Sequence, residues 1–230
     1  MNIVMTGASK GIGLATAHKL DQPHNRLFLT ATSKTSFKED FERASLFSAD
    51  LTKPTDIDNL ANEILQQTST VDALINNVGV MIMKRFEDMS DDDINHMLDL
   101  NLRAHILLTR KLLPALRASQ NPQIIFMSSM AAKSSIAGES VYAATKSGIT
   151  NFANVLRNEF GPSIRVSSVH AWGVDTWGAP KSDEFIQPAD VAATMEFILT
   201  RPTTVMVESI DLSNPHQWRG GDAPWSPKNK

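Results

Sequence analysis

Thr6-Gly7-Ala8-Ser9-Lys10-Gly11-Ile12-Gly13 follows directly on the apolar run Ile3-Val4-Met5 and leads into a helical pattern over 12–20. A strand, a glycine-rich turn and a helix, in that order, form the opening unit of a sheet whose strands run parallel. The glycines at 7, 11 and 13 give the spacing G-x-x-x-G-x-G. Such a turn lets the chain bend tightly, brings its backbone close to a ligand, and aims the first N–H groups of the helix at a pyrophosphate. Gly7, Ser9, Lys10, Gly11, Ile12 and Gly13 are therefore expected to cradle the phosphates of a dinucleotide.

Outward from this turn, strand and helix patterns alternate. Short apolar runs at 3–5, 27–29, 71–75, 124–127, 164–169 and 205–211 read as strands, with a weaker one at 44–48. Helical patterns cover 57–66, 93–118, 141–160 and 188–199. The alternation predicts a doubly wound α/β fold with helices on both faces of the sheet. Residues 1–213 form one expected domain; the tail 214–230 carries prolines, glycines, Trp218 and Trp225 without a period, and reads as a loosely ordered end or as a docking strap. Ser90 followed by Asp93 has the pattern of a capping box, so Asp91, Asp92 and Asp93 read as a helix N-terminus and not as a metal site.

Composition narrows the function. Lys+Arg 22 against Asp+Glu 25 gives a formal charge of −3, with no basic field for nucleic acid or an anionic membrane. Cysteine is absent, which removes disulfides and thiolate metal sites. No apolar run reaches the roughly 18–20 residues of a membrane span. The first strand begins at the N-terminal Met, with no leader pattern before it. A cytoplasmic protein acting on a small molecule is expected.

Tyr142 and Lys146 stand four residues apart in Tyr142-Ala143-Ala144-Thr145-Lys146, and Ser129 lies thirteen residues before the tyrosine. Four residues is just over one helical turn, so phenol and ammonium project from one face. A neighbouring cation favours the phenolate and is expected to bring the Tyr142 pKa down toward working pH. A phenol so tuned exchanges a proton with an alcohol or carbonyl oxygen, and a serine hydroxyl orients that oxygen. Ser128 is the rival for Ser129, but adjacent strand residues point to opposite faces.

The end of the second strand selects the dinucleotide. An NAD site places an acid there to bind the ribose 2′-hydroxyl. Ala31-Thr32-Ser33-Lys34 carries none, and the first acid is Glu39. Thr32 and Ser33, with the charges of Lys10 and Lys34, are expected to favour a 2′-phosphate: NADP(H) over NAD(H).

Together these pieces resemble the short-chain dehydrogenase/reductase family in its single-domain form, from about residue 2 to residue 211. Beyond the glycine turn, Asp50-Leu51 matches the pair that contacts adenine. Asn76-Asn77-Val78-Gly79 matches the family's N-N-A-G, and Asn101 falls at its mid-helix asparagine. The resemblance implies a Rossmann fold with a seven-stranded, mostly parallel sheet. It implies a catalytic tetrad of Asn101, Ser129, Tyr142 and Lys146, with Tyr142 as the proton donor in carbonyl reduction. Lys146 would lower the tyrosine pKa and bond the nicotinamide ribose, and Asn101 would hold a water linking Lys146 to solvent. Asn77, Gly79, Val174 and Thr176 join Asp50, Leu51, Tyr142 and Lys146 among the expected cofactor contacts. Helices 93–118 and 141–160 are where the family forms dimers and tetramers, so a homodimer or homotetramer is expected.

Two departures stand out. Ala171-Trp172 occupies the usual Pro-Gly positions after the sixth strand, unless Gly173, one residue on, is the matching glycine. Only 177–186 separates Thr176 from the next helix, a short lid with Trp177 and Phe185 as candidate walls. His170, at a strand end, reads as a structural residue more than a base. The expected activity is NADP(H)-dependent reduction of a ketone or aldehyde, reversible as alcohol oxidation. Its competitor is a non-enzymatic NADP(H) sensor or scaffold.

Overall fold

A computed structural model describes residues 1–33, 37, 41, 43–176 and 185–215. Lys34, Glu39, Trp177, Trp218 and Trp225 lie outside these residues.

Seven strands form one sheet: β1 (Asn2–Thr6), β2 (Arg26–Ala31), β3 (Ala44–Ser48), β4 (Ala73–Asn76), β5 (Gln123–Met127), β6 (Arg165–Ala171) and β7 (Ser209–Leu212). Their order is β3-β2-β1-β4-β5-β6-β7, and every neighbouring pair is parallel. The helices are α1 (Gly11–Leu20), α2 (Pro54–Gln67), α3 (Asp91–Leu98), α4 (Ala104–Arg117), α5 (Ser140–Phe160) and α6 (Pro188–Leu199). This is the doubly wound Rossmann architecture expected from the alternating pattern.

Parallel sheets are covered on both faces, so their strands read as continuous apolar runs, and side chains alternate between the two cores. Val4, Phe28, Leu74, Ile124, Phe126 and Val166 enter the core beneath α2, α4 and α5. Ile3, Met5, Leu27, Leu29, Ile75, Ile125 and Val169 enter the opposite core beneath α1 and α6. Both cores end where the strands end, and the loops that leave the carboxyl ends of the strands converge. The strand order reverses between β1 and β4, and in such sheets ligands bind outside that reversal.

Two elements depart from expectation. The helical pattern over 93–118 is broken into α3, a π-turn at Asp99–Arg103, and α4. The turn carries Asn101 inward, where its amide bonds both main-chain groups of Val80. A π-turn inserts one residue into the helical ladder and is frequent at functional sites. β7 begins at Ser209, later than the apolar run 205–211 implies. Arg165 Nη1 takes the Val205 carbonyl at 2.8 Å and Ser167 Oγ takes that of Val207 at 2.6 Å, so side chains of β6 replace the ladder there.

The capping box at α3 forms as the spacing implied. Asp93 N donates to Ser90 Oγ at 3.2 Å and Ser90 N to the Asp93 carboxylate at 3.0 Å. The acids at 91–93 sit in the first turn, where the helix dipole favours negative charge.

Candidate active site

The glycine turn closes on itself. Gly7 and Gly11 take φ of +66° and +55°, a region that side chains avoid. A Cβ at Gly13 would stand 1.9 Å from the Gly7 carbonyl oxygen, so α1 meets the turn at a position that admits glycine alone. The cap residue Lys10 makes no side-chain cap bond, and the first turn of α1 carries no acid. Among the described residues no side chain is seen to cap the leading N–H groups of α1, and the dipole there attracts an anion. A pyrophosphate suits this cradle by shape and charge.

Thr6 and Asn77 hold the cradle to the fourth strand. Thr6 Oγ1 accepts from Asn77 N at 3.0 Å and Val78 N at 3.1 Å. Asn77 Nδ2 donates back to the carbonyls of Thr6 at 3.0 Å and Gly7 at 3.1 Å. Asn77, expected among the cofactor contacts, thus spends its amide nitrogen on the turn.

The other expected contacts gather at the same sheet edge. Thr32 and Ser33 leave β2 beside the turn, whose Ala8 N donates to Thr30 O at 3.0 Å. Asp50 follows β3 and is internally satisfied. Its carboxylate accepts from Thr52 N at 3.2 Å and Thr52 Oγ1 at 2.7 Å, and pairs with Lys53 at 3.2 Å. These bonds, the Thr52 hydroxyl first, hold its pKa below the usual carboxylate value. Leu51 beside it is buried. Thr176 leans over the turn, its methyl 3.1 Å from where a Gly11 Cβ would be. Val174 pairs with Ile186, and Asp175 N and Ile186 N bond Ile186 O and Gly173 O at 2.9 and 3.0 Å. Both ends of the 177–184 segment are thereby tied at one point. Gly173 adopts φ +50°, in the left-handed region, while Trp172 N continues the sheet by donating to Leu212 O at 3.0 Å.

Across the cradle stands α5. Lys146 is buried, and its ammonium donates to the Met127 carbonyl at 2.8 Å. Burial brings its pKa down from 10.5 to about 8. The same ammonium sits 5.8 Å from the centroid of the Tyr142 ring. The expected lowering of the phenol pKa does not hold in this structure. Burial raises it, with Ser129 opposing through a hydrogen-bonding interaction and the Glu139 charge pushing it further up. The reason is geometric: Lys146 points past the ring to a carbonyl of β5.

Ser129 caps a short 3-10 turn (Met130–Ala132), accepting from Ala131 N at 3.1 Å. Ser128 turns the other way. Its hydroxyl donates to the Lys146 carbonyl at 3.1 Å and meets Thr150 Oγ1 at 2.8 Å, pinning α5 to β5. His170 lies deeper in this network, with Nε2 3.1 Å from Thr150 Oγ1 and Nδ1 3.3 Å from Asp211.

Asn101 is fully buried. Its Oδ1 accepts from Val80 N at 2.8 Å, and its Nδ2 donates to Val80 O at 2.8 Å and Thr145 Oγ1 at 3.2 Å. These bonds make the side chain fix the loop after β4. Gly79 separates it from Lys146: a Cβ there would meet Asn101 Oδ1 at 3.2 Å and Lys146 Nζ at 3.4 Å. Residues that the pattern did not single out complete the frame. Thr145 supports Asn101, and neutral His105 donates from Nε2 to Val78 O at 2.8 Å, its pKa driven to about 3 by burial and by Lys146. Nothing in the local spacing marks either as part of a site.

A family model described as short chain dehydrogenase matches residues 1–186. The chain belongs to the short-chain dehydrogenase family and is an oxidoreductase of the class that acts on CH–OH or carbonyl groups. An uncharacterized oxidoreductase of Staphylococcus epidermidis is 25% identical over 218 residues, covering 91% of this chain and 95% of the relative. A sepiapterin reductase of Chlorobaculum tepidum is 27% identical over 234 residues, covering 91% and 94%. A metagenomic short-chain oxidoreductase solved in complex with NADP superposes with TM-score 0.82 at 29% identity, covering 93% of this chain and 96% of the neighbour. No helix among the described residues is long and apolar enough to cross a membrane.

Proposed function

We propose that the protein is an NADP(H)-dependent reductase of ketones or aldehydes in which Tyr142 delivers the proton. The observation that carries this reading is the convergence of Ser129, Tyr142 and the buried Lys146 beside Gly79 and the uncapped glycine turn. When bound, the reduced dinucleotide supplies the hydride. The chain does the rest. The α1 N-terminus and Gly7–Gly13 turn hold the phosphates. Ser129 orients the carbonyl oxygen, and Tyr142 donates to it as negative charge develops. Lys146, its pKa brought down to about 8 by burial, restores the proton to Tyr142. In the reverse direction Tyr142 accepts the alcohol proton.

The cofactor preference rests on the absence of an acid at the end of β2, where Thr32 and Ser33 stand, and on the exposed Lys10 at the cap of α1. Fluorescence titration is expected to give NADPH at least tenfold tighter than NADH, and NADPH oxidation is expected with a panel of carbonyl compounds. Equal or tighter NADH binding overturns the preference, and no turnover with any carbonyl overturns the reductase. The enzymatic reading is preferred to a dinucleotide sensor because a binding protein has no use for a buried lysine behind a phenol.

The expected homodimer or homotetramer would use α3 to α5. Leu98 and Val155 on these helices are 36% and 44% exposed and would be covered in such an interface. Light scattering at micromolar concentration is expected to show a dimer or tetramer; a monomer contradicts it.

A further inference from the structure

Successive turns of the π-turn and α4 face the strip that leads from β4 into the active site. Asn101, His105 and Thr109 stand four residues apart, on one side of this helical segment. Thr109 Oγ1 accepts from the side-chain amide of Asn76 at 3.1 Å, and His105 Nε2 meets the Val78 carbonyl at 2.8 Å. Asn101 bonds both N and O of Val80 at 2.8 Å. Residues 109, 105 and 101 thus take 76, 78 and 80, in antiparallel order. Four residues of helix rise about 6 Å and two residues of extended chain cover about 6.6 Å, so each turn meets every second residue of the strip.

The middle contact reaches furthest toward the reaction. Val78 N donates to Thr6 Oγ1 at 3.1 Å, and Val78 Cα would stand 3.0 Å from a Cβ on Gly7, so this residue leans on the glycine turn. Gly79, next in the chain, abuts Lys146: a Cβ there would stand 3.4 Å from Nζ. His105 backs this junction. It is 1% exposed, and its ring stacks on Phe126 with centroids 6.4 Å apart. A carbonyl only accepts, so Nε2 carries the hydrogen of the neutral imidazole. Burial and the Lys146 charge keep the ring neutral, with a pKa of about 3. A phenyl ring would fill the same space against Phe126; the Nε2–H is what histidine adds.

We propose that His105 is a positioning residue: its Nε2–H fixes the Val78 carbonyl and so holds Gly79 between the phosphate cradle and the catalytic Lys146. The inference rests on the reductase reading above and adds to it a residue acting from behind the strip. A misplacement of about 1 Å in a site can cost about 100-fold in rate, so a loosened strip is read in kcat.

Two variants separate the hydrogen bond from the packing. His105→Phe keeps the ring and loses the donor. His105→Gln sets its amide nitrogen close to where the imidazole Nε2 stands, and keeps the donor. NADPH oxidation is followed with the carbonyl panel, diacetyl, benzaldehyde and cyclohexanone among its probes. In His105→Phe kcat is expected to fall at least about tenfold, with KM for the carbonyl compound within about threefold of native. In His105→Gln kcat is expected to return to within about threefold of native. A native kcat in His105→Phe, or a His105→Gln no faster than His105→Phe, overturns the proposal and leaves the reductase reading standing. If the native enzyme reduces no compound of the panel, the reductase reading fails and NADPH affinity decides. Weaker binding in His105→Phe that His105→Gln restores supports the positioning role; equal binding in all three proteins overturns it. If His105→Phe does not fold, the native protein decides by nitrogen-15 resonances of the imidazole. They are expected to show the Nε2–H tautomer, unprotonated from pH 8 down to pH 5. An Nδ1–H tautomer, or a midpoint near the ordinary 6.5, overturns the proposal.

Discussion

Tyr142→Phe is expected to reduce kcat for carbonyl reduction by about 1,000-fold, the range that a positioned general acid supplies. The substitution keeps the ring over which the Lys146 ammonium sits and removes only the hydroxyl. Ser129 retains its bond from Ala131 N, so the short turn that carries it stays in place. In the proposed complex the dinucleotide phosphates would rest on the glycine turn and not on the phenol. NADPH affinity is therefore expected to weaken by less than about tenfold, the value of one lost hydrogen bond. A kcat within tenfold of the native enzyme would remove Tyr142 as the proton donor. A collapse of NADPH binding would mean that the phenol serves the cofactor and not the reaction.

Lys146→Met is expected to act in two opposite directions. Turnover falls by at least about 100-fold, because the group that restores the proton to Tyr142 is gone. Stability of the free protein at pH 7 rises. The Lys146 pKa is about 8 in the folded chain against 10.5 as the ordinary value, so the folded state binds fewer protons between those limits. Below pH 8 the lysine is charged in both states, and folding carries the full cost of burying that charge, roughly 3 kcal/mol by linkage. The hydrogen bond to Met127 O offsets nothing further, since it is already counted in the folded pKa, but its loss in the variant leaves that carbonyl unpaired at about 1 kcal/mol or more. A net gain of about 1–2 kcal/mol remains. In the native protein stability is expected to climb as pH rises from 8 to 10.5; the methionine variant lacks that climb. Denaturant melts of both proteins at pH 7 and pH 10 measure the difference. A variant less stable at pH 7 would mean that Lys146 is a structural residue and not one retained at a cost for function.

The glycine turn was readable because its requirement is local: a strand, three glycines and a helix state the geometry without help from the rest of the chain. α6 over 188–199 and α5 from 140 to 160 were readable for the same reason, each having a sustained apolar period. The break at Asp99–Arg103 was not, because it is imposed from outside, by the bonds between Asn101 and Val80. The apolar run at 205–208 resembled a strand, but two side chains of β6 claim its carbonyls. The four-residue interval between Tyr142 and Lys146 was right about placement and wrong about the sign of the pKa shift. Spacing gives the face of a helix and says nothing of burial, and burial decides both groups.

One chemical accident makes the central claim directly measurable: Tyr142 is the sole tyrosine in the sequence. Tyrosinate absorbance as a function of pH therefore reports this phenol alone. In the free protein the transition is expected above the ordinary value of 10.0, because the ring is buried. With saturating NADP+ it is expected to fall by about two pH units, as positive charge joins Lys146 beside the ring. A transition unmoved by the dinucleotide would place the phenol away from the cofactor and contradict the mechanism.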